Sequence, residues 1–190
     1  MQLDEAIQSR KSVKSFSDKK PDWRDIIEAI DSARFAPMAG NIYSLRFIIV
    51  DNKEKIQKLS ESCQQDFVGK VHYIVVACTD GEKTQNSFGK RAEKYLRQQA
   101  GAAIQNFLLK IEESGLKICW VGHFVDNQIK HELSIPDNIE VEALFPIGYE
   151  TKEKGAKRLP RKKASLDSIL YFNKWGKRKM NNPPVVKLHA

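Results

Sequence analysis

The chain has 190 residues, of which 41% are hydrophobic and 29% charged, a composition that excludes a disordered chain and a membrane protein. No apolar stretch approaches the ~20 residues of a membrane-spanning helix, and the N-terminus lacks the basic and apolar regions of a secretory signal. The three cysteines have no paired spacing, which argues against a disulfide framework or a zinc site. We expect one globular, reduced, cytoplasmic protein without a metal.

The formal net charge of +8 is concentrated near the C-terminus. Residues 152–190 hold twelve Lys or Arg against two acids, a net charge of +10. Residues 1–151 carry 20 basic and 22 acidic groups, a net charge of −2. The basic tail suits nucleic acid, an anionic surface or one phosphorylated ligand, and charge alone does not choose among them.

Hydrophobic periodicity predicts helices and strands that alternate along the chain. The predicted helices cover residues 4–10 (capped by Asp4), 22–36, the stretch around Ile56, Leu59 and Cys63, and residues 90–114, 127–133 and 165–171. The predicted strands cover residues 46–50, 72–78, 118–121 and 141–147. This pattern is typical of an α+β fold with a central sheet. We expect residues 1–171 to form one domain and residues 172–190 a basic arm with too little apolar surface to fold alone.

The longest predicted helix, residues 90–114, carries a wide apolar stripe and ends with Gly115 as its C′ residue. Small residues at positions 100–103 would let another backbone approach closely. The connection before this helix, residues 79–91, is short and polar. It therefore predicts an open, permissive pocket without an elaborate lid.

Two basic segments are candidate phosphate sites. Residues 10–16 read Arg-Lys-Ser-Val-Lys-Ser-Phe, and their cations and hydroxyls are the donors that a phosphate prefers. Residues 158–163 read Arg-Leu-Pro-Arg-Lys-Lys and would add further charge. Such a run taken alone is more often a solvated basic stretch, because charge runs usually face water.

Two other segments suit a flat ligand. Residues 36–44 form a loop of small residues in which Asn41 can donate and accept hydrogen bonds, although an ordinary turn fits as well. Residues 119–124 read Cys-Trp-Val-Gly-His-Phe, so a predicted strand ends at Gly122, where backbone N–H groups can face a cofactor. His123 suggests a general acid, but a lone histidine is more often structural or exposed.

In this order the segments resemble the nitroreductase family, the FMN-dependent NAD(P)H oxidoreductases. Residues 10–16 resemble the family's Arg-Arg-Ser-Val-Arg-x-Phe, and residues 36–47 its Ala-Pro-Ser-x-x-Asn-x-Gln-Pro-Trp-x-Phe. The later motifs are Gly-Ala-Ala-Ile-Gln-Asn at residues 101–106, Cys-Trp-x-Gly-x-Phe at 119–124, Ile-Gly-Tyr at 147–149 and Pro-Arg-Lys at 160–162. Each motif is weak alone, but their shared order from Ile7 to about Tyr171 is specific.

The resemblance implies a nitroreductase-like α+β fold with a central mixed or antiparallel sheet flanked by helices. It implies a domain-swapped homodimer with two FMN sites at the interface. The small residues 100–103 would then lie at that interface, and the C-terminal arm would pack on the partner subunit.

The resemblance also assigns residues to the FMN phosphate and to one ring edge. Arg10 and Ser12 would hold the phosphate, with Lys11 contributing and Arg161 adding a second cation from the tail. Lys14 would sit near the N1/O2 edge of the isoalloxazine. A cation there stabilises the negative charge of reduced flavin.

The remaining assignments concern the flavin ring itself. Pro37, Met38 and Asn41 would line it from the partner subunit. Backbone groups at Gly122 and His123 would approach flavin N5, and no side chain is nominated as a general acid.

The implied reaction is ping-pong hydride transfer from NAD(P)H through flavin N5 to a nitroaromatic, quinone or similar acceptor. The chain departs from the family pattern because Met38 replaces Ser, Tyr43 and Ser44 replace Gln-Pro, and Leu45 replaces Trp. These departures motivate an alternative, a protein that stores or senses FMN with little turnover.

An alternative of another class is nucleic-acid binding through the basic tail, which would weaken steeply with salt. The sequence shows no recognition motif, no basic body and no platform of interleaved aromatic residues. These features favour the oxidoreductase over the nucleic-acid hypothesis.

Overall fold

A computed structural model describes residues 1–151 and 163–179. The chain divides into two compact units, residues 1–152 and 153–190. The first unit is built on a four-stranded sheet in which every neighbouring pair is antiparallel. Its strands are β1 (Leu45–Val50), β2 (Tyr73–Asp80), β3 (Lys117–Ile118) and β4 (Ile139–Gly148), in the spatial order β1-β2-β4-β3.

Helices cover both faces of this sheet. They are α1 (Leu3–Ser9), α2 (Trp23–Ala33), α3 (Lys53–Cys63), α4 (Glu82–Phe88), α5 (Ala92–Glu113) and α6 (Asp126–Leu133). Buried residues of α2 and α5 share one apolar cluster with one face of the sheet, and buried residues of α3 and α6 share a second cluster with the other. The α+β prediction with a central antiparallel sheet flanked by helices is therefore confirmed.

Strand β2 shows why the sequence folds this way. Successive side chains of a strand point to opposite faces, so Tyr73 and Val75 enter the α2–α5 cluster while Ile74 and Val76 enter the α3–α6 cluster. A strand covered on both faces needs apolar residues without alternation. This explains the near-continuous apolar run that predicted a buried strand.

Three predicted boundaries are wrong for local reasons. Helix α1 is capped by Gln2, and Asp4 lies in the first turn, where its carboxylate favours the positive helix end. Helix α2 has the predicted cap, Asp22, which accepts from the Arg24 N–H at 2.9 Å. It ends three residues early, and three consecutive tighter i→i−3 backbone hydrogen bonds, donated by residues 34–36, follow it. Pro37 then disfavours helical geometry in the residue before it.

Strand β3 is shorter than predicted and ends at Ile118. The next pairing would set Cys119 against Pro146, and the Cys119 N–H does donate to the Pro146 carbonyl at 3.3 Å. Pro146 has no N–H with which to donate the reciprocal ladder hydrogen bond to the Cys119 carbonyl. The ladder therefore stops, and Val121 rejoins the sheet through one bridge to Leu144.

The connection at residues 79–91 contains a helix that the sequence reading missed. Helix α4 and a 3₁₀ helix (Gly89–Arg91) occupy most of it. Phe88 at the end of α4 packs edge-on against Tyr95 of α5, with ring centroids 5.1 Å apart. The segment is folded onto α5 rather than being a plain polar connection, and the open, permissive pocket stays a prediction.

In the second unit, the described residues 163–179 contain one short helix, α7 (Leu166–Ile169). This is shorter than the predicted helix of residues 165–171. Tyr171 and Trp175 contact each other with ring centroids 4.8 Å apart, and the Arg178 guanidinium lies 6.0 Å from the Tyr171 ring. Trp175 is 89% exposed within this chain.

Candidate functional site

The basic segment that follows α1 is attached to the sheet beside β3. The Val13 N–H donates to the Ile118 carbonyl at 3.0 Å, and Ser12 forms a parallel bridge with Ile118. Further along, the Ser17 N–H donates to the Tyr149 carbonyl at 2.8 Å. Because Val13 is buried and its neighbours Ser12 and Lys14 are exposed, the segment presents its hydroxyl and its cation outward.

Lys11 and Lys14 in this segment have contacts that the sequence did not predict. The Lys11 ammonium pairs with the Glu150 carboxylate at 2.7 Å. The Lys14 ammonium lies 5.4 Å from the centre of the Phe67 ring, which belongs to a 3₁₀ helix (Asp66–Lys70). Arg10, the third cation, is half-buried at the end of α1.

The thiol of Cys119 shows how closely this segment approaches the end of β3. Burial raises the pKa of Cys119, while Lys14 and a hydrogen bond with Ser12 act in the opposite direction. Both side chains therefore lie near a residue that is three positions before Gly122. The structure thus brings together two of the predicted motifs, residues 10–14 and residues 119–123.

Gly122 and His123 are exposed in the segment that follows β3. A Cβ added to Gly122 would meet only the indole nitrogen of Trp120, at 3.9 Å. Open space in front of a glycine lets a ligand reach the backbone. Together with the outward cation and hydroxyl, this space suits a flat, anionic group, so the residues present fit FMN.

The loop with Pro37, Met38 and Asn41 contacts other parts of the fold. Pro37 and Met38 line one side of a groove of about 320 Å³, and Tyr95 and Gln98 of α5 line the other. Met38 is half-buried, whereas Pro37 and Asn41 are exposed. The contacts of this loop are with α5 and α4, whereas the Lys14 ammonium lies by the Phe67 ring.

The loop has an unusual backbone. Gly40 has φ +58°, and Asn41 has φ 57°, a left-handed conformation that glycine and asparagine tolerate better than other residues. A Cβ at Gly40 would also lie 2.9 Å from the Phe88 ring. Both the backbone angle and the close approach of Phe88 therefore require glycine at this position.

Sequence reasoning missed three residues that contact the predicted site segments. Glu150, Phe67 and Gln99 contact predicted site residues through the tertiary fold. Only Gln99 had a local signal, because it is a polar residue on the apolar stripe of α5. Arg161 lies outside the described residues.

A groove of about 590 Å³ between α3 and α6 is lined by charges of both signs, including Lys58 and Glu132, whose ammonium and carboxylate pair at 3.0 Å. No described helix is both long and apolar enough to cross a membrane. Within residues 1–151 and 163–179, no three His, Cys, Asp or Glu side chains are grouped as metal ligands would be.

Comparison with known proteins gives one consistent result. The model of the nitroreductase family matches residues 7–70 and 61–149 of the chain. The FMN reductase (NADPH) of Bacillus subtilis is 25% identical over 173 residues, which cover 83% of this chain and 70% of that protein.

Solved structures agree with the family match. A nitroreductase family protein from Clostridium novyi is 28% identical, with a TM-score of 0.74 over 93% of this chain and 96% of that chain. An FMN-dependent nitroreductase from Clostridium difficile is 26% identical, with a TM-score of 0.69 over 90% of this chain and 98% of that chain. The similarity therefore extends over nearly the whole length of each protein.

Proposed function

The chain belongs to the nitroreductase family, and from this premise we propose that it is an FMN-dependent NAD(P)H oxidoreductase acting on a nitroaromatic, quinone or similar acceptor. The observation that carries the proposal is the contact between the basic segment and the end of β3. The Val13 N–H donates to the Ile118 carbonyl at 3.0 Å, and Ser12 hydrogen-bonds with Cys119, three residues before the open backbone of Gly122. One ligand with an anionic group and a flat ring fits both parts.

The basic segment would hold the FMN phosphate. Arg10 offers a guanidinium with paired N–H donors, and Ser12 offers an exposed hydroxyl. Lys11 is already paired with Glu150, so its main contribution is to hold the segment in place. Arg161 from the tail remains a proposed second cation.

Lys14 and the glycine at the strand end would serve the ring. Bound FMN supplies the redox chemistry, since flavin N5 accepts hydride from NAD(P)H and delivers it to the acceptor. Lys14, placed near the N1/O2 edge, would stabilise the negative charge that develops there. The backbone at Gly122 and His123 would orient the ring, and no side-chain acid is needed.

A second copy of the chain would complete the site as a homodimer. Pro37, Met38 and Asn41 are proposed to line the flavin of the partner subunit, and this proposal is supported by the packing of their loop against α5 and α4. Gly101 on α5 is exposed, and a Cβ added there would meet nothing within 4 Å. Such a surface can accept a closely packed helix from another subunit.

The test is the visible absorption spectrum of the purified protein before and after anaerobic addition of NADH or NADPH. The proposal predicts an oxidised-flavin spectrum that bleaches with at least one of the two nicotinamides. A flavin spectrum that bleaches with neither would favour the FMN storage or sensor function. A colourless protein that takes up no added FMN would contradict the proposal.

One observation favours a second candidate function. The sequence reading found no aromatic platform in the tail, yet Tyr171 and Trp175 contact each other beside Arg178. Exposed aromatic rings among cations can stack the bases of single-stranded nucleic acid. Salt-dependent binding to mixed-sequence DNA would support this function, and no binding at low salt would remove it.

A further inference from the structure

The buried side-chain amide of Gln99 joins the loop of residues 37–44 to helix α5. Gln99 of α5 is 3% exposed. Its side-chain oxygen accepts from the Ala39 N–H at 3.2 Å, and its side-chain nitrogen donates to the Ser44 hydroxyl. Ser44 is 1% exposed and comes immediately before β1. The single side chain therefore holds the loop at its centre and at the point where it enters the sheet.

Packing alone does not explain a glutamine at this position. Gln99 lies on the buried side of α5 beside Ala100, Ala103 and Leu96, where an apolar residue would fill space without a desolvation penalty. A buried amide is tolerated when its polar atoms are hydrogen-bonded. Here both ends of the amide are used, and each bond is to the same loop.

The attachment lies beside two residues of the loop that have a left-handed backbone. Gly40 and Asn41 both have positive φ, and glycine in particular has many other conformations open to it. The Phe88 ring restricts Gly40 from one side. The hydrogen bond from Ala39 to Gln99 restricts the neighbouring peptide from the other.

The Ser44 contact belongs to this chain's own version of the loop. The family pattern has proline at this position, which has no hydroxyl to accept from an amide. Ser44 is one of the departures that motivated the FMN storage or sensor alternative. With Gln99 opposite it, the same departure supplies an additional attachment for the loop.

We propose that Gln99 is a positioning residue that fixes the shape of residues 37–41 for contact with the flavin. The statement rests on the proposed function for the ligand, but the attachment itself is a property of the protein alone. Gln99 acts through Ala39 and Ser44. It is not a catalytic residue.

The experiment compares Gln99→Leu and Ser44→Ala with the wild-type protein and with Gln128→Leu. Gln128 is an exposed residue of α6 and provides a matched control for the change of side chain. Two quantities are measured: amide hydrogen exchange of residues 38–44 without flavin, and the Kd for added FMN. Turnover per bound flavin at saturating FMN is measured as a third readout.

We expect Gln99→Leu to speed exchange at Ala39 and to raise the Kd for FMN about tenfold, the effect of one lost hydrogen bond. Turnover per bound flavin should stay within about twofold of the wild type, because the chemistry is not touched. Ser44→Ala keeps the bond to Ala39, so its effects should be smaller. In a variant that carries both Gln99→Leu and Ser44→Ala, the effects on exchange and on the Kd should not add. Both substitutions remove a hydrogen bond of the same amide.

Unchanged exchange at residues 38–44 in Gln99→Leu would overturn the proposal, and so would a lower melting temperature with an unaltered Kd. If Gln99→Leu does not fold, Ser44→Ala decides by the same two readouts. If the wild-type protein takes up no FMN, the proposed function fails. Exchange at Ala39 then decides whether Gln99 fixes the loop.

Discussion

The backbone N–H of Val13 donates to the carbonyl oxygen of Ile118 at 3.0 Å. This bond joins a segment near the N-terminus to the short strand β3, more than 100 positions later in the chain. It sets Ser12 and Lys14 near Cys119 and so aligns the basic segment with the approach to Gly122. Cations and open backbone then lie along the same edge of the fold.

Arg10→Ala should weaken FMN binding by about 2 kcal/mol, about 30-fold in Kd, because it removes a charge-assisted contact to phosphate. The measurement is a titration of the apoprotein with FMN, followed by flavin fluorescence. Arg24→Ala, which removes an exposed guanidinium at the start of α2, should leave the Kd unchanged. Equal affinity in wild type and Arg10→Ala would contradict the phosphate assignment.

Lys14→Met should slow flavin reduction by NAD(P)H, because the developing charge at the N1/O2 edge loses its cation. Removal of one such electrostatic group commonly costs about 10²-fold in rate. Anaerobic stopped-flow absorbance of the FMN-loaded variant measures this step directly. Lys14→Arg keeps the charge and should recover most of the rate. A Lys14→Met protein reduced as fast as the wild type would place the supporting cation elsewhere.

Gly122→Ala should lower FMN affinity without lowering the melting temperature of the apoprotein. The backbone of Gly122 does not have a positive φ, and an added Cβ would meet only Trp120, at 3.9 Å. The protein can accommodate the side chain, whereas a ring placed against the backbone cannot. Calorimetry and FMN titration on the same sample separate the two effects. A variant that loses stability but keeps its affinity would argue against a ligand at this surface.

Gly101→Arg should convert a homodimer into monomers and abolish tight FMN binding. A long cation on this exposed face of α5 would prevent close packing of a second subunit. Analytical ultracentrifugation gives the oligomeric state, and Gln128→Arg on α6 controls for added charge. An FMN-loaded monomer of Gly101→Arg would show that residues 37–41 of a partner are not needed.

The buried thiols predict a loss of stability at high pH. Burial raises the pKa of Cys63 and of Cys78 to about 11. The folded state therefore binds these protons more tightly than the unfolded chain, where a cysteine has a pKa of about 8.5. Their contribution to stability is complete below that value and is lost as the pH rises through about 11.

Urea unfolding between about pH 8 and pH 11 measures this dependence. Cys63→Ala should show a shallower fall in the free energy of unfolding than the wild type, although its stability at pH 8 is lower because of the cavity. Lysine and tyrosine titrations are common to both proteins and cancel in the comparison. Parallel pH profiles would show that the thiol keeps an ordinary pKa.

Local sequence determined most elements of the fold. The apolar run of β2 and the helical spacing of Ile56, Leu59 and Cys63 each mark residues whose burial the structure confirms. The errors arose where a non-local contact decides the outcome. Helix α4 has little apolar periodicity and is held by packing against α5, and β3 is cut short by a proline on a strand from a distant part of the chain.

The sequence by itself nominated the residues that we propose for the site chemistry, because cations, hydroxyls and glycines keep their chemistry wherever the chain places them. Only the tertiary structure decided which of them meet. Lys11 and Glu150 are 139 positions apart, and Gln99 lies 60 positions from Ala39. Such pairs form when the strands pair in register and α5 packs on the sheet, which brings distant parts of the chain together. No local pattern of residues encodes these long-range contacts.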